Sequence, residues 1–573
     1  MRKNFKVLAI NHGGHDTSAA IGHNGKIVSA CEQERFDLVK HSRSFPINAI
    51  NECLKISKLK INQINEIAIT VDYHEFIKKR YLEPAIKDIE KLKVLINDFE
   101  QIKSYADYEN LIRYKLKYKG NIKFYRHHLC HIASAYFPSG FNKALLISND
   151  GLAENETGMV GIGKFGKIEI KNYLPSYPDS LGLFYSALTF YLGWKHHCDE
   201  GIIMGLAPYG DPYAKVPGKN ISYIKQFRKI IIDRDNFNYE IDKSWIAYHI
   251  KRDTWISEKF IKFFGKKRKY RDPIKQRHKN IAAALQLRLE EIVLNKLKIA
   301  KKKYKINKLC IAGGVGLNCS LNGKIAESKL FKEIFVQPAS GDSGVAIGAA
   351  YLAMLEKNKK KKIRVKKRIS TYLGSRFKKE EILRILKSRK VKYSFSKNIF
   401  DEVAEHLKKG DIIAWFQNEA EFGPRALGNR SIICRPYPEK MKDYLNKRVK
   451  FREYFRPFAP AVLEEHTSDY FDIKQKSPHM LIACKVIKNK KKKIPAVVHV
   501  DNTCRVQTVS KKNNLNFYKL IKSFYKKTDC PVILNTSFNV KGQPIINTPS
   551  QAIKSFFKTN IDILVLGNYI LKK

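Results

Sequence analysis

The sequence predicts an α/β protein of two domains, the first of them built by internal duplication. Three observations predict this. Residues 5–35 read as strand, glycine-rich turn, strand, glycine turn, strand, and residues 143–175 repeat that order. A basic run, Lys357-Asn-Lys-Lys-Lys-Lys-Ile-Arg-Val-Lys-Lys-Arg368, then separates the repeats from a later region that holds the arginine-rich motifs. At 573 residues the chain exceeds one ordinary core, so two to four domains are expected.

Taken in order, the first repeat has strands Lys6–Ile10, Thr17–Ile21 and Lys26–Cys31. The second has Ala144–Ser148, Gly158–Ile162 and Lys167–Ile170. Each places an aspartate in its first turn, Asp16 and Asp150, and two lobes facing each other bring both turns to one cleft. Helical patterns run from Pro46 to Leu59 and from Lys87 to Leu116. A polar, aromatic stretch at about 215–278 reads as a helical insertion into the second lobe, a usual place for a substrate lid. A helix Ile281–Lys303 and a strand Lys308–Ala312 follow. The expected boundaries are 1–356 for the first domain, 357–369 for the linker and 370–573 for the second.

Composition excludes several classes. Hydrophobic content of 44% argues against disorder, and no run of eighteen apolar residues suggests a membrane span. The ten cysteines are scattered singly, so neither a zinc ribbon nor a disulfide framework is indicated, and a reducing cytoplasm fits. The apolar run Val7–Ile10 is too short for a signal peptide. A formal net charge of +54 invites a nucleic-acid or anionic-membrane reading. The excess is mostly lysine spread along the whole chain beside abundant Asn and Ile, as an AT-rich coding sequence yields. It therefore points to no specific nucleic-acid partner.

Four motifs carry chemistry. In Asn418-Glu-Ala-Glu-Phe-Gly-Pro-Arg-Ala-Leu-Gly-Asn-Arg-Ser-Ile432, Arg425 and Arg430 sit among small residues, which suits guanidinium groups gripping phosphate or carboxylate. Arg452, Arg456, Arg505 and the loop Leu534-Asn-Thr-Ser-Phe-Asn539, with Asn535, Ser537 and Asn539, extend this anionic small-molecule site. His127 and His131 are four apart on a helix, a spacing that suits two imidazoles on one metal, with a structural pair as the lesser alternative. Asp150 and Asp342 are candidate oxygen ligands, a set that favours iron, manganese or zinc over calcium. Gly313-Gly-Val-Gly-Leu-Asn318 joins strand to helix, so Gly313, Gly314, Gly316 and Asn318 either admit a nucleotide or pack helix on strand. His15, beside Asp16, is placed to take a proton from a hydroxyl or only to bond locally, and Lys40 to pair with an anion or lie in solvent.

Together these motifs resemble the NodU/CmcH-type carbamoyltransferases over nearly the whole chain. The likeness rests on His15-Asp16-x-Ser-Ala-Ala20, Glu34-Arg-Phe36, Lys40-His41, His127-His-Leu-x-His131, Met204-Gly-Leu-Ala207, Gly313–Asn318, Gly423-Pro-Arg-Ala-Leu-Gly428, Arg456-Pro-Phe-Ala-Pro460 and Leu534–Asn539. It implies a duplicated actin/sugar-kinase-like (ASKHA), TsaD-like first domain and a YrdC-like α/β second domain. It also implies a two-step reaction, in which carbamoyl phosphate and ATP, with Mg2+, give carbamoyl-adenylate, whose carbamoyl group then passes to a hydroxyl of a sugar or glycosylated small molecule.

By the same resemblance His127, His131, Asp150 and Asp342 match a metal and adenylate shell, with iron the metal in relatives and Gly151 beside it. His15 matches the general base and Lys40 an adenylate contact. Arg425, Arg456 and Arg505 match carbamoyl-phosphate contacts. Two departures stand out: Ile202 where relatives usually have lysine, and His196-His-Cys198, read as a local polar loop. Two other functions compete, a tRNA threonylcarbamoylation-related transferase and a basic nucleic-acid-binding protein on an inactive fold. The acceptor and the oligomeric state are not legible. Trp245, Tyr248 and Trp255 of the insertion either stack on a sugar or pack the insertion itself.

Overall fold

The computed structural model describes residues 4–251, 253–358 and 369–573, so 359–368 of the basic run read as a linker lie outside the described residues. By internal packing the chain divides into Met1–Ala30 with Arg43–Ile369, and Cys31–Ser42 with Ser370–Lys573. A single break at the basic run would give 31–42 to the first domain; the structure gives it to the second unit. Arg35 is the reason. Its buried guanidinium donates from Nε to Glu32 at 2.7 Å and from Nη2 to the Gly423 carbonyl at 2.6 Å, so the segment is tied to the Gly-Pro-Arg loop.

The first unit contains two five-stranded sheets. Strands β1 (Lys6–Asn11), β2 (Ser18–His23), β3 (Lys26–Glu32), β4 (Glu66–Ile69) and β5 (Asn121–Phe124) lie in the order β3-β2-β1-β4-β5. Strands β6 (Lys143–Ala153), β7 (Glu156–Lys164), β8 (Lys167–Tyr173), β9 (Lys308–Ala312) and β10 (Glu333–Val336) lie in the order β8-β7-β6-β9-β10. β1 pairs antiparallel with β2 and parallel with β4, and β6 pairs in the same senses with β7 and β9. Each strand thus has a counterpart, which makes the duplication a fact of topology. The central strands read Val-Leu-Ala-Ile and Ala-Leu-Leu-Ile because both faces are buried.

A helix follows the last strand of each copy. These are α1 (His127–Ser139), after β5, and α3 (Val345–Glu356), after β10; the longer α2 (Gln276–Tyr304) precedes β9. α1 is buried at twelve of its thirteen positions and stops at Gly140, whose φ of +77° is the left-handed conformation of a helix end. α1 and α3 pack against one another closely enough that a β-carbon at Gly348 would collide with the Cys130 carbonyl.

The structure refines two expectations. The insertion at 215–278 is not purely helical. Between helices Tyr223–Ile230 and Glu258–Phe264 it holds an antiparallel hairpin, Ile231–Asp233 with Tyr239–Ile241, whose isoleucines favour pairing. The helical pattern Lys87–Leu116 is three helices, broken at Asp98 and Asp107 and started by Asp88, whose carboxylate accepts the Glu90 N–H at 2.9 Å.

The second unit is built on an eight-stranded mixed sheet. Its order is Ser394–Phe395, Tyr569–Lys572, Ile563–Leu566, Ile413–Phe416, Arg430–Cys434, Val532–Ser537, Ala459–Leu463 and Gln507–Val509. Helices Ile399–Lys409 and Leu515–Thr528 cover its core, in which Trp415 is fully buried. Among the described residues no helix is long and apolar enough to cross a membrane.

Candidate functional site

The duplication places equivalent loops of the two copies around one point in the first unit. His127 and His131 come from the start of α1, Asp150 from the end of β6 and Asp342 from the turn entering α3. Their ligand atoms all lie within 4.8 Å of one another. His131 Nε2 is 2.6 Å from Asp150 Oδ2 and 3.6 Å from Asp342 Oδ1; His127 Nε2 is 3.5 Å from the same Asp342 oxygen. The middle histidine of the motif, His128, takes no part. It meets the Glu156 carbonyl through Nε2 at 2.8 Å, and burial pushes it down to about 3.

These residues fit a divalent metal. His131 Nε2 and Asp150 Oδ2 are both buried, and neither has a well-directed hydrogen bond among the described residues despite their closeness. Atoms so arranged point at a common centre more than at each other. The His127 ring is fixed from behind: Nδ1–H donates to the Thr70 carbonyl at 3.2 Å, which leaves Nε2 as the ligand. Two imidazoles with two carboxylates suit iron, manganese or zinc. Electrostatics agree. Burial opposes charge on His131, but Asp150 and Asp342 outweigh it and raise the ring to about 9. Burial likewise opposes charge on Asp342, but His15 and His127 hold it well below the usual carboxylate range.

Residues that sequence reasoning missed support this cluster. Glu154 is buried, and its Oε1 accepts the His127 N–H at 3.0 Å and the Asp72 N–H at 3.2 Å, so it caps α1. Asn11 donates to the Asp16 carbonyl at 3.1 Å and accepts the Thr70 hydroxyl at 2.8 Å. A chain Asn11–Thr70–His127 therefore joins the first turn to the histidines. Both Asn11 and Thr70 follow hydrophobic strand residues, a position that signals nothing until the two strands are paired.

His15 stands in that first turn. Its Nδ1 is 2.9 Å from Asp16 Oδ2, and because a carboxylate only accepts, Nδ1 carries the proton. Nε2 is then the basic atom, 3.9 Å from Asp342 Oδ2. Lys40, by contrast, belongs to the segment that packs with the second unit, half-buried before His41, whose N–H donates to Glu34 at 2.8 Å. The glycine loop divides as well. Gly313 has φ +88° and presses on the Asn149 backbone, while Gly316 packs on Ser340. Asn318 caps the next helix through the Leu321 N–H and exchanges hydrogen bonds with Gln286. These three do the packing work. Gly314 and Gly151 face Asp150, whose Oδ1 accepts the Gly151 N–H at 2.7 Å.

In the second unit a cationic cluster forms. Arg452 is half-buried and held well below its ordinary value, first by desolvation and then by Arg456 and Arg505. Lys450 is lowered by burial and by the charges of Arg452 and Arg456. Its ammonium donates to the Ser537 carbonyl at 2.7 Å, the Asn539 carbonyl at 2.9 Å and Asn539 Oδ1 at 2.7 Å, fixing the Asn-Thr-Ser-Phe-Asn loop. One lysine among 108 basic residues gives no signal in sequence. Cations gathered against burial and mutual repulsion make a site that an anion relieves. Arg425 is half-buried in its loop, and the neighbouring Ala426 carbonyl accepts from Asn535 at 3.2 Å.

Arg430 requires a correction. It is fully buried, its guanidinium stacks 3.6 Å over Phe416, and it donates to the carbonyls of Gln417, Asn418, Asn429 and Ser375. With both terminal nitrogens spent on backbone carbonyls and the group closed off from solvent, it organises the loop from inside. Glu421 does the same from the opposite charge, accepting the N–H groups of Leu427, Asn429 and Arg430 on one oxygen. Asn535 is also interior, bonded to Gln507 at 2.8 Å.

Comparison with known proteins fits this two-part arrangement. Residues 6–351 match the model of the carbamoyltransferase N-terminus and residues 404–573 that of the carbamoyltransferase C-terminus. The chain belongs to the carbamoyltransferase family. Nodulation protein NolNO of Sinorhizobium fredii is 34% identical over 574 residues, covering 98% of this chain and 79% of that protein. Protein sll1178 of Synechocystis is 36% identical over 607 residues, covering 99% of this chain and 96% of its own. Among solved structures, full-length HypF in its phosphate- and nucleotide-bound form aligns at 14% identity and TM-score 0.31, covering 63% of this chain and 57% of that one. A likeness that distant carries no inference about function.

Proposed function

We propose that this carbamoyltransferase works in two steps at two separate sites. In the second unit carbamoyl phosphate is cleaved by water to carbamate and phosphate. A carbamate oxygen then attacks the α-phosphorus of ATP, and pyrophosphate leaves. In the first unit a hydroxyl of a sugar or glycosylated small molecule attacks the carbamoyl carbon of the adenylate, gives its proton to His15 Nε2, and AMP departs. The observation that carries this reading is the occurrence of a half-buried cationic cluster in one unit and of a His–Asp cluster beside a histidine base in the other.

Residues take their roles from their chemistry. Arg452, Arg456 and Arg505, with Arg425, hold the anionic substrates; Lys450 keeps their loop in place. Asp16 orients His15 and stabilises its imidazolium after proton transfer, as an acid does behind any histidine base. His127, His131, Asp150 and Asp342 would hold a divalent metal, iron in our reading, which when bound supplies charge stabilisation to the leaving nucleotide. Gly151 and Gly314 let a nucleotide approach Asp150. Because carbamoyl-adenylate is a mixed anhydride, the site must keep water out. The test is pyrophosphate release from ATP by purified protein: it should appear only when carbamoyl phosphate is added, and release indifferent to carbamoyl phosphate overturns the proposal.

A further inference from the structure

The loop His196-His-Cys198 is not merely local. The His197 ring lies 5.5 Å from that of His15 and inclined at 31°, so it is the next ring along from the proposed base. Trp255 follows, 5.0 Å from His197, and stands 4.2 Å from His196 at 35°. Four rings from three separated stretches of sequence thus form one continuous wall, running from the first turn to the insertion.

The wall is held in place by its surroundings. His197 has φ +55°, a left-handed conformation uncommon for a non-glycine residue. Glu200 holds this turn, accepting the His197 N–H at 2.6 Å and the Ser186 hydroxyl at 2.5 Å on one oxygen. The insertion is pinned too: Tyr248 donates to the Pro178 carbonyl at 2.9 Å, and Tyr177 donates to the Tyr248 carbonyl at 2.8 Å. Of the insertion's three candidate stacking residues, Trp245 is buried against Phe260, Phe263 and Phe264, and Tyr248 is buried as this anchor. Only Trp255 stays partly open.

We propose that Trp255, His196 and His197 form the acceptor wall of the transfer site, with a pyranose ring lying against Trp255 and His197 directing one of its hydroxyls to His15. This rests on the two-step reading above and names the residues that select its acceptor. Sugars stack their C–H faces on an indole while their hydroxyls need polar partners beside it, and this wall alternates the two. His196 Nδ1 is buried with no hydrogen bond among the described residues, so the ring enters the wall with one polar atom uncommitted. Burial and the neighbouring His15 push His197 down to about 3, so the ring is neutral, as suits a hydroxyl and not an anion. His197 is a positioning residue; His15 remains the base.

Intrinsic fluorescence tests this directly. Of the chain's four tryptophans, Trp194, Trp245 and Trp415 are buried, so a ligand at the wall reports through Trp255. Methyl glycosides of glucose, galactose, mannose and N-acetylglucosamine are the probes. At least one should change the emission saturably in the wild type. The response should vanish in Trp255→Leu, and His197→Ala should weaken affinity for the same glycoside about tenfold or more, read through the intact Trp255. No saturable response to any of the four, or an unchanged response in Trp255→Leu, overturns the wall; unchanged affinity in His197→Ala removes His197 from it. Should a variant misfold by circular dichroism, protection of Trp255 in the wild type from N-bromosuccinimide by the glycoside, mapped by peptide mass, decides the same question. Carbamoyl-phosphate-dependent pyrophosphate release is recorded on the same preparation. Its absence overturns the two-step reading, whereas its presence with no glycoside response overturns only this assignment.

Discussion

His131 Nε2 lies 2.6 Å from Asp150 Oδ2, and both atoms are buried without a well-directed hydrogen bond among the described residues. One of these residues lies in the second turn of the helix after the first sheet and the other near the end of the central strand of the second. Their meeting is the product of the duplicated topology, and it gives the first prediction. His131→Ala and Asp342→Asn should each abolish stoichiometric metal, measured by elemental analysis of the purified protein. A full complement in both variants would show that the cluster is structural.

Proton competition supplies the second. In the metal-free protein burial disfavours the His131 imidazolium, but Asp150 and Asp342 raise it from 6.5 to about 9. A raised folded value means that its contribution to stability is complete below about 6.5 and is lost as pH climbs through about 9. Metal requires the deprotonated ring, so affinity should strengthen across that same window. Metal titrations at several pH values between 6.5 and 9 check this, and an affinity that falls with rising pH contradicts it.

The third concerns Gly348. Its missing side chain lets α3 approach the Cys130 carbonyl of α1. Gly348→Ala should lower stability by about 1–3 kcal/mol through forced separation of the two helices. Thermal unfolding measures it, and an unchanged melting temperature would mean that the helices are not so tightly apposed.

Arg430 and Arg505 should separate. Arg430→Met leaves four carbonyls without their donor and should cost roughly 3–5 kcal/mol of stability, by analogy with breaking a buried charged network. Arg505→Ala should leave the melting temperature nearly unchanged and abolish carbamoyl-phosphate-dependent pyrophosphate release. The reverse pattern would exchange their roles.

Much of this was legible before the structure. The strands of both repeats show themselves by short apolar runs between glycine turns, and His127, His131, Asp150 and Asp342, which the structure clusters, announce themselves by spacing and by position at strand or helix ends. What stayed hidden has physical reasons. Arg430 and Arg425 look alike in sequence, because a string of residues does not say which guanidinium turns inward to carbonyls. Lys450 is lost among lysines. The excursion of residues 31–42 depends on a single buried arginine reaching Gly423. The His197–His15 contact joins residues far apart in sequence, through a left-handed turn whose position local pattern does not mark.

The central claim is that the arginine cluster acts before carbamoyl-adenylate exists and His15 only after. Supplying preformed carbamoyl-adenylate to each variant, and measuring AMP release coupled to carbamoylation of the acceptor, tests it most directly. The account predicts that Arg505→Ala then transfers at close to the wild-type rate, while His15→Ala stays about a hundredfold to ten-thousandfold slow, as loss of a general base implies. Transfer restored in His15→Ala and absent in Arg505→Ala would contradict it.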